Sequence, residues 1–199
     1  MLLRQCVIAV AAVTLSMPVW AEGNATNKSH ETQQQKTPTQ RRADIDKNIQ
    51  QSLAMVYKKY PDAKAQIAKA AGYAVFKTGG FTAVFLGAGG GEGVAVSKGK
   101  KTYMTMIQGK VGLGLGAKET REVLVFTEKS AFDSFVNSGW TADANATAAA
   151  KASDKGVGIT GAKQVAKGVY VYQFTENGLV AEATVAGSKY SVDKELNTK

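Results

Sequence analysis

Residues 169–186 read VYVYQFTENGLVAEATVA, and on their reading the fold turns. Val169–Glu176 and Leu179–Ala186 are two runs rich in Val, Tyr, Phe and Thr, set on either side of Asn177-Gly178. Both of those residues tolerate positive φ, so the pair suits a type I′ turn and predicts a β-hairpin. Ala186-Gly187-Ser188 then turns the chain once more, into a further strand at Lys189–Val192.

The same pattern extends back to residue 73. Tyr73–Lys77, Phe81–Leu86, Val94–Ser97, Thr102–Ile107 and Val123–Thr127 read as short strands. Thr78-Gly79-Gly80 and Lys98-Gly99-Lys100 punctuate them as turns. One helix interrupts the series: Phe132, Phe135 and Val136 share a helical face, and Gly139 stands where a C-terminal cap belongs. In Thr141–Ala152 the alanines favour helix by propensity, whereas their alternation with Asp143, Asn145 and Thr147 reads as a strand.

Before residue 73 the period changes to that of a helix. Ile45, Ile49, Leu53, Val56, Tyr57 and Tyr60 recur at steps of three and four, with Arg41, Arg42, Asp46, Lys47, Gln50, Gln51, Lys58 and Lys59 mostly opposite. Pro61 disfavours helical geometry at Tyr60 and so ends that helix. It also suits the start of a second short helix over Asp62–Ala71, closed by Gly72. The apolar stripe packs on a core, or lies on a membrane as a basic amphipathic helix.

Met1–Arg4, the apolar run Val7–Leu15 and the exit Pro18-Val19-Trp20-Ala21 have the layout of a secretory signal peptide. The expected organisation is a signal over residues 1–21, a flexible polar leader over 22–40, and one domain over 41–199. The single cysteine, Cys6, falls in the signal, which leaves the exported chain without disulfide, thiol nucleophile or cysteine ligand. The single histidine, His30, falls in the polar leader. A Ser-His-Asp triad and a histidine-ligated zinc site inside the fold are thereby excluded, which argues against an enzyme. No metal or cofactor is expected. The net charge of +9 favours anionic partners, and export favours a membrane surface over nucleic acid.

Glycine is concentrated at residues 87–93 and in Gly112-Leu113-Gly114-Leu115-Gly116. Neither run opens onto a helix or fits a nucleotide-binding spacing, so a phosphate loop is disfavoured. Gly112, Gly114 and Gly116 would share one face of a strand, permitting curvature or close approach of another element. Glu92, between Gly91 and Gly93, reads as a turn or rim residue tied to backbone amides. Trp140 reads as a large core or rim residue.

Several of these pieces, in order, resemble the SYLF domain family. Lys69–Phe76 looks like the family's opening, Gly91-Glu92-Gly93-Val94 like its G-E-G signature, and Gly112–Ala117 with Val123–Phe126 like its glycine strand and next apolar strand. Ser138-Gly139-Trp140 with Ala142-Asp143-Ala144 resembles its G-W…A-D-A segment, and Gly168–Ser188 its closing hairpin. The resemblance covers about Ile45–Val192. It departs where Phe76 is followed by Lys77-Thr78-Gly79 rather than a proline-lysine run, and where Ala117-Lys118-Glu119 replaces the frequent glutamine.

The resemblance implies a compact α+β fold: a β-rich, barrel-like antiparallel domain with N-terminal helices and one further helix. It also implies binding of phospholipid or phosphoinositide without catalysis. The family's link to actin belongs to eukaryotic cytoplasm, which an export signal contradicts. Arg41, Arg42, Lys47, Lys58 and Lys59 are the candidate head-group contacts on an anionic phospholipid membrane. Gly91, Glu92, Gly93, Gly112, Gly114 and Gly116 form the candidate structural glycine and turn site. The alternative is a cell-envelope structural or protein-interaction module that does not bind lipid directly.

Overall fold

A computed structural model describes residues 36–83, 86–111, 116–142, 158–175, 178–179 and 187–198. The segments expected as signal peptide, most of the polar leader, Gly112, Gly114 and residues 143–157 lie outside the described residues.

Helix α1 runs from Pro38 to Lys59. It starts three residues before the expected boundary because Thr37 caps it. The Thr37 side chain accepts from the Gln40 amide while the Gln40 side chain reaches back to the Thr37 amide, and Pro38 fills the first turn, where its missing N–H costs nothing. The helix ends before Pro61 as expected. A short helix α2, Ala63–Lys69, follows. Gly72 does not cap it; Ala70 does, and Gly72 is already the first residue of a strand.

The strands are longer than their apolar cores suggested. They are β1 (Gly72–Ala83), β2 (Leu86–Ser97), β3 (Lys100–Val111), β4 (Gly116–Phe126), β5 (Trp140–Ala142), β6 (Lys163–Ala166), β7 (Val169–Thr175), β8 (Gly178–Leu179) and β9 (Ser188–Val192). Thr78-Gly79-Gly80 is therefore not a turn but the middle of β1, and Gly89, Gly90 and Gly91 are β2 residues paired to it. Lys98-Gly99 does turn the chain, with φ of 49° and 78°. Of the late hairpin, the pairing of β7 with β8 is described. Thr175 pairs with Gly178, so Gly178 is a strand residue, and the connection at 176–177 lies outside the described residues. Helix α3, Lys129–Ser138, ends at Gly139 with φ of 69°, as its cap position requires.

All described pairings are antiparallel. The order is β5-β9-β3-β2-β1-β4-β7-β6, with β8 beside β7. Two contacts show how far the sheet curls. In a flat sheet β9 would lie ~14 Å from β1 and ~19 Å from β4, at about 4.8 Å per strand. Yet the Phe76 and Tyr190 rings are 4.9 Å apart between centroids, and the Tyr190 hydroxyl donates to Glu122 Oε2 at 2.9 Å. The sheet is thus a half-barrel, and these side chains line its inner face.

Alternation along each strand divides the core into two layers. Phe76, Met104, Met106, Leu124, Phe126 and Tyr190 point inward, where Phe132 and Phe135 of α3 close the bore. Trp140 stacks on Tyr190 at 5.7 Å. Val75, Val94, Val123, Val125, Tyr172 and Phe174 point outward and are covered by Ile45, Ile49 and Val56 of α1 and Ile67 of α2. Among the described residues no helix is long and apolar enough to cross a membrane.

Buried tyrosines tie the fold to pH. The Tyr172 hydroxyl donates to the Thr160 carbonyl at 2.5 Å, and burial pushes its pKa up to about 12, with Tyr60 and Tyr57 adding to the effect. Tyr190 is raised well above its ordinary value by burial and then by the Glu122 carboxylate. The folded state holds these protons more tightly than an unfolded chain, whose tyrosines ionise near ~10. Their stabilisation is therefore complete below ~pH 10, and the Tyr172 contribution is lost as pH rises through about 12. In a pH titration, tyrosinate absorbance is expected to rise together with loss of near-ultraviolet circular dichroism. Tyrosines all ionising near ~10 in a folded protein would contradict this assignment.

Candidate functional site

The amino-terminal half of α1 carries the charges of interest, and the chain uses them in two ways. Arg41 is a three-pronged fork: its Nε donates to Glu92 Oε1 at 2.7 Å, its Nη1 to Glu195 Oε2 at 2.5 Å and its Nη2 to Asp193 Oδ2 at 2.8 Å. Arg42 donates to the carbonyl oxygens of Leu196 and Thr198 at 2.9 and 2.8 Å. Its guanidinium lies 6.0 Å from the Tyr103 ring centroid. Both arginines thus fasten residues 193–198 to α1, with Leu196 buried beneath them.

Glu92 is consequently not a turn residue bound by backbone amides. It sits mid-strand in β2, faces α1 and holds Arg41. Gly91 and Gly93 flank it for a steric reason. A Cβ on Gly91 would stand 2.1 Å from the Lys77 carbonyl oxygen, and one on Gly93 2.3 Å from that of Val75. Of the other glycines expected at this site, Gly116 opens β4, whereas Gly112 and Gly114 lie outside the described residues.

Removing the fork has a definite expected cost. Arg41 is 19% exposed and Asp193 8%, so Arg41→Ala leaves a nearly buried carboxylate without its cation. A loss of about 2 kcal/mol is expected, below the 3–5 kcal/mol of a fully buried pair because Glu195 remains solvated. Urea unfolding measures it; a shift under about 0.5 kcal/mol, the size of an ordinary surface substitution, would remove the fork from the fold's framework.

Lys47, Lys58 and Lys59 are exposed and make no ion pair among the described residues. Lys47 and Lys58 lie eleven positions apart, which brings them to within about 20° of each other around the helix; Lys59 stands at its carboxy-terminal end, where a cation suits the dipole. The structure therefore divides the five expected head-group contacts. Two arginines are engaged with the protein itself, and three lysines point to solvent.

Sequence reasoning missed a cleft of about 660 Å³ between α1 and strands β1, β2 and β4. Its carboxylates are matched: Asp44 with Lys36, and Glu119 with Lys77 at 2.9 Å and Arg121 at 3.2 Å. These partners hold the Asp44 and Glu119 carboxyls below their ordinary pKa, Lys36 acting on the first and chiefly Lys77 on the second. Asn48, only 5% exposed, also lines it. Its Oδ1 accepts from Ser52 at 3.2 Å, while its Nδ2 has no acceptor. A buried polar group so left costs about 1–3 kcal/mol. The sequence signal was present: Asn48 and Ser52 interrupt the buried stripe of Ile45, Ile49 and Val56. Sequence reasoning also missed Glu122, fully buried inside the half-barrel, where it accepts from Tyr190 and from Gln173 Nε2 at 3.0 Å.

Residues 107–199 match the family model Ysc84, described as Las17-binding protein actin regulator. That span takes in the end of β3 and everything after it, including the residues that Arg41 and Arg42 grip. Beta cell expansion factor A of Aeromonas veronii is 35% identical over 170 residues, covering 81% of this chain. The chain in turn spans 60% of that relative's length. By this match and this relative, on a curled antiparallel α+β scaffold, residues 107–199 are recognised by the Ysc84 (SYLF) domain model and the chain is similar to a bacterial protein of that family.

Proposed function

We propose that this chain is an exported, non-enzymatic protein that docks on anionic phospholipid surfaces, phosphoinositide-containing ones included, through the outward side of α1. Similarity to the family supports a lipid-binding-related module. The observation that carries the reading is the exposure of Lys47, Lys58 and Lys59 on a helix whose other side is fixed by apolar packing and by the Arg41 fork. A rigid helix presents Lys47 and Lys58 on one side, with Lys59 at its end, so little backbone ordering is left for the moment of binding. Near an anionic leaflet each lysine contributes about 1 kcal/mol. Three of them give about a hundredfold preference over a neutral surface, and this preference weakens as salt rises.

Co-sedimentation with liposomes tests it. The full chain is expected to pellet with vesicles containing phosphatidylglycerol and not with phosphatidylcholine alone, and to be partly released between low and physiological salt. Equal pelleting with both, or with neither, overturns the reading. The second outcome turns attention to a cell-envelope protein partner.

A further inference from the structure

The seam between α1 and the sheet is apolar near Val56 and Ile49 and polar towards the start of the helix. Asn48 and Ser52 occupy core-facing positions there. On the sheet side of the cleft, among Lys77, Glu92, Glu119 and Arg121, β1 contributes Gly79, whose register partner on β2 is Gly90. A Cβ at Gly79 would meet nothing within 4 Å. Gly79 lines the cleft and makes room there, in contrast to Gly91 and Gly93, which avoid collision.

What the cleft leaves unused is specific. Each of its carboxylates already has a cation, Glu92 having Arg41. Among the described residues Lys47 is in no ion pair, although its charge adds to that of Lys36 on Asp44, and Asn48 Nδ2 is a buried donor without an acceptor. Two free donors call for an oxyanion. The lining carries four cations, Lys36, Lys47, Lys77 and Arg121, against three carboxylates, Asp44, Glu92 and Glu119, so a single negative charge balances it and further ones do not. The volume suits a small polar group together with its ester substituents.

We propose that this cleft binds a single monoanionic phosphodiester, its oxygens held by Asn48 Nδ2 and Lys47 Nζ beside the open space at Gly79. The inference rests on the lipid-surface reading and sharpens it. The helix lysines collect the protein on an anionic membrane, and the cleft selects a singly charged diester over multiply phosphorylated head groups. A phospholipid and a soluble glycerophosphodiester present the same group.

Titration calorimetry of the full chain separates the cases. The probes are glycerophosphoglycerol, dihexanoylphosphatidylglycerol below its micelle concentration, and inositol trisphosphate. Both diesters are expected to bind at least tenfold tighter than inositol trisphosphate. Equal affinity for the two diesters identifies the soluble group as sufficient; binding only with acyl chains identifies a lipid. Gly79→Leu, which fills open space, and Asn48→Leu, which deletes the donor, are each expected to weaken diester binding at least tenfold with an unchanged or raised thermal midpoint. Failure of both diesters to bind overturns the proposal, as does undiminished binding in Gly79→Leu or tighter binding of inositol trisphosphate. Vesicle pelleting without any soluble-probe binding sinks the cleft alone, whereas loss of both removes the lipid reading with it.

Discussion

Gly93→Ala is expected to lower stability by about 3 kcal/mol, the upper range for an added methyl group in a packed interior. The new Cβ would stand 2.3 Å from the Val75 carbonyl oxygen and 2.4 Å from the Phe76 ring. The carbonyl belongs to the neighbouring strand and the ring is wedged against Phe135 and Tyr190, so neither can retreat without opening the bore. Gly91→Ala meets the same obstacle at the Lys77 carbonyl. Gly79→Ala provides the contrast: it lies on the same glycine-rich strand pair, has open space around it, and is expected to be neutral or slightly stabilising. Urea midpoints of the three variants measure this. A Gly93→Ala protein within about 0.5 kcal/mol of the parent would show that the sheet is not so tightly curled there.

Charge reversal at Lys47, Lys58 and Lys59 together is expected to abolish association with anionic vesicles. Neutralising three lysines removes about 3 kcal/mol, roughly a hundredfold in partitioning, and reversal adds repulsion. All three side chains are exposed, so the thermal midpoint is expected to stay near that of the parent. The Lys58→Glu/Lys59→Glu pair leaves the cleft's cation in place and so isolates the surface contribution. Arg41 and Arg42 variants differ in kind, since they are expected to loosen residues 193–198 before they alter any membrane contact. Binding that survives the triple reversal with full affinity places the contact surface elsewhere on the domain.

Elements whose signals are local were legible in the sequence. The stripe from Ile45 to Val56, the break at Pro61, the Lys98-Gly99 turn and the Gly139 cap each depend on residues within a turn or two. The glycine strands were harder. In Thr78-Gly79-Gly80 only Thr78 is of the branched and aromatic kind that marks strands, and the segment is extended because β2 and β4 pair with it on both sides. The role of Arg41 was unreadable for a related reason: its partners Asp193 and Glu195 stand more than 150 positions away. Family resemblance supplied the barrel-like sheet, which no local pattern specified.

The Arg41 and Arg42 contacts with residues 193–198 also bear on when the protein can become itself. Helix α1 is made early in synthesis, but apart from the contact of Arg41 with Glu92 its arginines wait for acceptors 152 to 156 positions later. Strand β9 joins β3 from similarly late in the chain. Such distant pairings are slow to form, because loop closure must come before the contact that rewards it. A nascent chain ending before Asp193 is therefore unlatched, with the outward apolar side of its sheet incompletely covered. The last residues to appear are thus the ones that lock the first helix down.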